Sequence, residues 1–232
     1  MPKPSDYYRS KYYRSKRPEI AQFLPKQYAN VLEVGCGEGY FATNLNPSCE
    51  VWGIEPVYNI AKNALQRLNK VMIGSYKEVC DQLPNHYFDL VICNDVIEHM
   101  ENHDQFFQSI KEKMKQNAYL VGSVPNVRYV YNLHELLIEK DWLYKDSGIL
   151  DRTHLRFFTE KSLKRTLNEH GFLIESFKGL KSGITRPSSL KRLAKNIMLL
   201  SIIFGSFGFF RDIRFLRFGF RARYTDPSII KE

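Results

Sequence analysis

At 232 residues the chain can form one large domain or two small ones, and 44% hydrophobic with 25% charged residues supports a sizeable core. The formal net charge of +9 points to an anionic partner, without choosing among nucleic acid, a lipid surface and an acidic or phosphorylated substrate. Cys36, Cys49, Cys80 and Cys93 form no CxxC pair and have no histidine at zinc-site spacing, which argues against a metal cluster.

The N-terminal segment MPKPSDYYRSKYYRSKR has no apolar core, so it does not read as a signal peptide. The longest uncharged stretch, Ile197 to Phe210, falls short of the roughly 20 residues a membrane-spanning helix needs. A cytoplasmic protein with reduced thiols is expected. Residues 1–29 read as a basic N-terminal arm and helix that carry a duplicated pentad, YYRSK-YYRSK (Tyr7 to Lys16), with too few copies for a solenoid.

From Asn30 onward, β-rich runs alternate with helical patterns. NVLEV predicts a strand, EGYFATNL a helix and EVWGI a second strand. VYNIAKNALQRL places Ile60, Ala64, Leu65 and Leu68 on one helical face. KVMIG predicts a third strand, followed by a short helix near Tyr76 to Gln82. YFDLVIC is an almost unbroken apolar run, as expected of a central parallel strand covered on both faces. HDQFFQSIKEKMK predicts a helix with Phe106, Phe107, Ile110 and Met114 facing inward, and AYLVGSV a fifth strand closed by Pro125. This alternation is that of a doubly wound α/β sheet, here read as a single domain over 1–232.

After Pro125 the rhythm breaks. Residues 126–158 read as a substrate-side insertion, with one helix suggested by Leu133, Leu136 and Leu137. Thr159 is an N-cap for EKSLKRTLNEH, and Gly171 a stop. FLIESF predicts a further strand, 184–217 a second insertion that is basic and apolar by turns, and FRARYT the last strand.

The densest motif is VLEVGCGEGYF, at the junction of first strand and first helix. Gly35, Gly37 and Gly39 let the backbone turn sharply and leave no Cβ to block a ligand. This is GxGxG preceded by an acid, and not the GxGxxG of nicotinamide enzymes. Glu55 ends the second strand, where an acid can bond both hydroxyls of a ribose. With FDLVICNDVIEHM at the fourth strand, the sequence resembles the class I methyltransferases that use S-adenosyl-L-methionine, over most of Arg17 to Phe177.

The resemblance implies a seven-stranded Rossmann-like sheet with two helical insertions. It implies that Gly35, Gly37 and Gly39 approach the methionine part of the cofactor and that Glu33 reaches its amino group. Glu55 would hold the ribose, Asn94 and Asp95 would lie below the methyl donor, and Arg17 would pair with the cofactor carboxylate. Many relatives bind the adenine amine with an Asp after the third strand. Here the run is IGSYKE, which shifts adenine binding to backbone groups at Ser75 and to the Tyr76 ring.

DVIEHM resembles the corresponding segment of ubiquinone O-methyltransferases. PNVRYVYNLHELL and GILDRTHLRFFT resemble methyltransferases of polysaccharide and O-antigen clusters. These resemblances imply a small-molecule or glycan acceptor, a sugar hydroxyl first and a quinone precursor as the alternative. They also place Thr153 and His154 in a shared active-site element. Nucleic acid is disfavoured as a partner, because NDVI stands where base-methylating enzymes carry NPPY-like motifs.

A hydroxyl acceptor is helped by a general base, and a histidine suits that role near neutral pH. His154 is expected to be the base or to orient the acceptor, with His99 in reserve. The plainer alternative has Asp151 and Arg152 as a surface ion pair and His154 bonding a loop carbonyl. His134 reads as structural or substrate-lining. No metal is assigned, although Asp95, Glu98 and His99 offer donors suited to a divalent ion.

Arg128, Arg152 and Arg156 are candidates for gripping a phosphate or sugar acid, and Phe157 and Phe158 for anchoring their loop. In the second insertion, Lys191, Arg192 and Lys195 precede the apolar run, and Arg211, Arg214, Arg217, Arg221 and Arg223 follow it. A basic rim around an apolar patch suits a peripheral contact with an anionic membrane and a lipid-linked acceptor; a helical pair covering the sheet edge or making a dimer is the alternative.

Overall fold

Strands form where the apolar runs lie. The computed structural model describes residues 13–182 and 208–225, together with positions 197, 201, 205 and 206. Its strands are β1 (Asn30–Val34), β2 (Glu50–Glu55), β3 (Lys70–Ile73), β4 (Phe88–Asn94), β5 (Met114–Pro125), β6 (Phe172–Ser182) and β7 (Phe215–Tyr224). They make one sheet in the order β3-β2-β1-β4-β5-β7-β6. β1 to β5 are parallel to their neighbours, and β7 runs antiparallel between β5 and β6. The seven-stranded Rossmann-like sheet expected from the motifs is therefore present.

Side-chain alternation divides the core between the two faces of the sheet. Leu32, Val91, Cys93 and Leu120 belong to one apolar cluster, and Val31, Leu90, Ile92 and Val121 to the other. The helices α1 (Pro18–Ala21), α2 (Tyr58–Ala64), α3 (Tyr76–Val79), α4 (His103–Lys113), α5 (Val130–Leu137) and α6 (Glu160–Glu169) complete the chain order. Thr159 caps α6 as expected. Its Oγ1 accepts from the Ser162 N–H at 3.1 Å, while the Ser162 hydroxyl accepts from the Thr159 N–H at 2.9 Å.

Several boundaries differ from expectation for local reasons. EGYFATNL forms a 3-10 turn over Tyr40–Asn44 instead of an α-helix. Gly39 enters it in the left-handed region, and the Asn44 side chain bonds the carbonyls of Phe41 and Lys16. α4 stops at Lys113, because Met114 is extended and pairs with Phe88. β6 and β7 are longer than FLIESF and FRARYT, so Phe215 to Arg217 belong to a strand and not to the second insertion. Most of that insertion, including Lys191, Arg192 and Lys195, lies outside the described residues, as does Tyr7 to Tyr12 of the repeat. Among the described residues no helix is long and apolar enough to cross a membrane.

The strand order reverses between β1 and β4, on either side of which β2 and β5 lie. Ligands bind at such a switch, beyond the carboxyl ends of the strands. The glycine loop after β1, Glu55 at the end of β2 and Asn94 at the end of β4 all fall there.

Phe107 anchors the layer on one face. It is fully buried and packs its ring against Phe106, His103, His170 and Phe172. Phe107→Ala is expected to destabilise the fold by about 3–5 kcal/mol, read as a lower urea midpoint at unchanged slope.

Candidate functional site

The loop after β1 is built by conformation and by space. Gly35 and Gly37 have φ of 70° and 54°, which disfavours any side chain there. A Cβ on Gly35 would lie 2.6 Å from Val96 Cγ2, and one on Gly37 would lie 2.8 Å from the Tyr13 carbonyl oxygen. Residues 13–17 thus cross directly over the loop. The Tyr13 carbonyl accepts from the Glu38 N–H at 3.0 Å, and Arg14 pairs with the Glu38 carboxylate at 3.0 Å.

Glu33 and Glu55 flank this loop. Glu33 is 3% exposed, and its Oε2 has no hydrogen-bond partner among the described residues. Burial pushes its carboxyl up to about 8, against the pull of Arg17 and with a further push from Glu55. Glu55 accepts from the Gly37 and Val57 N–H groups, both at 3.0 Å. Burial still raises it above the usual carboxylate range. The side-chain amide of Asn94 is buried, with neither its oxygen nor its nitrogen partnered among the described residues.

Asp95 lies at φ 54° and is engaged from three sides. Oδ2 meets Arg17 Nη1 at 2.6 Å and Arg217 Nη2 at 3.1 Å, and Oδ1 accepts from the Ser123 hydroxyl at 2.6 Å. Burial alone would raise this carboxyl; the two arginines and the hydroxyl hold it down at about 2. Arg17, expected at a cofactor carboxylate, is buried here against Asp95.

Ser75 and Tyr76 part company. Ser75 caps α3, its N–H and hydroxyl both bonding Glu78 Oε2 at 2.7 Å. The Tyr76 ring lies in the core, edge-on to Phe106 at 4.9 Å, with its hydroxyl accepting from Ser109. This corrects the expectation of a ring presented to adenine: α3 buries the side chain that directly follows its cap.

The segment Ile149 to Thr159 folds back onto the turn after β4. The Leu155 and Arg156 N–H groups both donate to the Glu98 carbonyl, at 2.8 and 3.0 Å. His154 is buried, and its Nδ1 stands 2.8 Å from the Ile149 carbonyl. A carbonyl only accepts, so Nδ1 carries a proton, and in the neutral ring Nε2 keeps the lone pair. His99 is set the same way, with Nδ1 3.1 Å from the Thr153 carbonyl. The two rings meet edge-on with centroids 4.7 Å apart. Burial, helped by His154, lowers the His99 imidazole below its ordinary value.

Glu98 adjoins them, 1% exposed, with neither carboxylate oxygen partnered among the described residues. Burial and the nearby Asp95 charge raise it well above the carboxylate range. One donor atom from each of Glu98, His99 and His154 lies within 4.8 Å of the others, so these three could hold a divalent ion. The set differs from the Asp95, Glu98 and His99 group, because the two arginines already claim Asp95.

Asp151 accepts from the Thr153 N–H and hydroxyl, at 2.8 and 2.6 Å, and does not pair with Arg152. Arg152 faces Asp146 at 3.4 Å, Arg128 meets Asp212 at 2.8 Å, and Arg156 donates to the Glu101 carbonyl at 2.6 Å. Those three arginines are thus spent on local partners. Phe158 is buried, and Phe157 packs on Trp142 and Tyr144, as anchors should. His134 is half-exposed beside Glu139.

Ser123 and Arg217 were not anticipated at the site. The early reach of β7 is the signal that could have found Arg217: its register sets it opposite Pro125, at the carboxyl end of β5.

A family model described as a methyltransferase domain matches residues 6–176. The chain belongs to this methyltransferase family. The ubiquinone biosynthesis O-methyltransferase of Rickettsia canadensis is 26% identical over 159 residues, covering 65% of each chain. That of Rickettsia bellii is 27% identical over 157 residues, 65% of this chain and 64% of that one. The methyltransferase therefore spans just under two thirds of the length of these relatives. The crystal structure of a SAM-dependent methyltransferase from Archaeoglobus fulgidus matches the fold with a TM-score of 0.65 at 20% identity, over 94% of this chain and 99% of that one.

The converging donors have a direct test. An ion held there would bind at one per chain in a titration with Zn2+ or Mn2+, with Glu98→Gln weakening it at least about tenfold. Wild-type and variant proteins that bind the ion equally would remove the site.

Proposed function

We propose that this methyltransferase moves the methyl group of S-adenosyl-L-methionine to a hydroxyl, with a sugar or glycan as acceptor. The observation that carries the reading is the pinned His154 imidazole, which keeps an Nε2 lone pair beside the switch point.

The residues fit the cofactor. Glu33 Oε2 and Asn94 Oδ1 are buried acceptors without partners among the described residues, suited to an ammonium group. Glu55 keeps lone pairs for a ribose, and Arg17 is the nearby cation for a carboxylate. Ser75 and its backbone remain the adenine-side groups. When bound, the cofactor supplies a sulfonium methyl that needs little beyond an aligned acceptor.

His154 takes the acceptor proton at Nε2 while the Ile149 carbonyl fixes the ring. His99 narrows the same wall and stays neutral, because burial disfavours its charged form. The ubiquinone names of the relatives favour a phenolic quinone precursor as the second acceptor reading. The sugar reading rests on the likeness of GILDRTHLRFFT and PNVRYVYNLHELL to polysaccharide-cluster enzymes. A lipid-linked acceptor met at a membrane surface is compatible with the chain's +9 charge.

His154→Ala is expected to lower turnover about 100-fold or more with cofactor affinity unchanged. Near wild-type turnover would sink the base assignment. A chelator separates the proton-transfer reading from an ion held by Glu98, His99 and His154: turnover that survives it leaves His154 as the base.

Glu33 gives a pH signature. Its carboxyl is protonated below about 8 in the free protein, whereas an ammonium ligand selects the ionised form. Binding then releases a proton, so affinity for S-adenosylhomocysteine should rise by up to about tenfold per pH unit between pH 6 and 7.5. The rise should vanish in Glu33→Gln, as read by calorimetry.

A further inference from the structure

We propose that Arg217, assisted by Lys181, recognises an oxyanion on the acceptor, so that the substrate is a hydroxylated carboxylate or phosphate and not a neutral alcohol. This rests on the hydroxyl-methylating reading above and adds the chemical class of the acceptor.

The observation is an excess of cations around a single ionised carboxylate. Arg17 Nη1 and Arg217 Nη2 both lie on the same oxygen of Asp95, at 2.6 and 3.1 Å. Lys181, at the end of β6, adds a third cation. After burial, the charges of Arg217 and then Arg17 act to lower its ammonium, while Glu19 stands 4.0 Å away as its own counter-ion. With Lys181 offset by Glu19, Arg17 and Arg217 together carry one charge more than Asp95 answers.

Geometry then selects Arg217 as the group that meets the acceptor. Its Nε is buried with no hydrogen-bond partner among the described residues, while Asp95 engages Nη2. A guanidinium offers planar, paired donors that match a carboxylate or phosphate. Arg217 sits opposite Pro125, where β5 ends and the 126–158 insertion begins. The exposed Lys181 lies one residue beyond Leu180, the β6 partner of Arg217.

The test uses the full-length protein saturated with S-adenosylhomocysteine. Galacturonate, galactose 6-phosphate and galactose are titrated in one calorimetric series, and 3,4-dihydroxybenzoate and 3,4-dihydroxybenzamide in another. In at least one series the anionic compound should bind about tenfold or more tightly than its neutral counterpart. The stronger of galacturonate and galactose 6-phosphate says which oxyanion is read. The preference should disappear in Arg217→Met and shrink in Lys181→Ala, with S-adenosylhomocysteine affinity unchanged in Lys181→Ala. If Arg217→Met does not fold, the exposed Lys181→Ala and the charge-preserving Arg217→Lys carry the same comparison.

Neutral compounds binding as tightly as anionic ones, no member of either series binding at millimolar concentration, or a preference untouched by these variants would overturn the proposal. Failure of the wild type to bind S-adenosylhomocysteine takes down the cofactor reading and this one with it. Intact cofactor binding without an anion preference takes down this one alone.

Discussion

The carboxylate of Asp95 joins parts of the chain that are far apart in sequence. It is buried and charged, a state that is costly unless every lone pair is answered. Arg17 answers from the N-terminal segment, Ser123 from β5 and Arg217 from β7. Removing any one leaves an ion in a place with little water, so the three elements are held to one geometry around the end of β4. The left-handed backbone at Asp95 is the local cost of aiming its side chain at all of them.

Around that fixed point, the site divides by charge state. Asp95 is ionised, while Glu33 and Glu98, close by and equally buried, are pushed toward the neutral form. The difference comes from partners and not from depth: Asp95 has two guanidiniums in contact, and the other two have oxygens unpartnered among the described residues. Groups that want a partner and lack one in the protein mark where ligand atoms belong. Here they point to an ammonium near Glu33 and to an ion or proton-bearing group near Glu98, His99 and His154.

Much of this was legible in the residues. Alternation and apolar runs are local signals, and they gave the five parallel strands, the glycine loop and the capping of α6. Glu33, Glu55 and Asn94 could be placed at strand ends because the strands were. What escaped depended on contacts distant in sequence. Arg217 looked like one more basic residue in a surface rim, because nothing local says that β7 starts at Phe215 and meets the end of β5. Tyr76 looked ligand-facing by position, yet the helix phase set by the Ser75 cap turned it into the core. The convergence of His99 with His154 was likewise invisible until the Glu98 carbonyl was seen to bind the loop that carries His154.

The placement of β7 has a consequence for synthesis. β1 to β4 hold the glycine loop, Glu55 and Asn94, and all their pairings lie within Asn30 to Asn94. β7 instead slots between β5 and β6 and pairs Val121 with Arg221, a long closure of the kind that slows folding. On the ribosome, the half of the sheet that faces the cofactor can be in register while Arg217 is still inside the exit tunnel. Until that strand arrives, Asp95 is one guanidinium short and β5 has a bare edge. A nascent chain stalled before Phe215 would thus display an open strand that other chains could pair with, and the newborn protein is most exposed to aggregation at that stage.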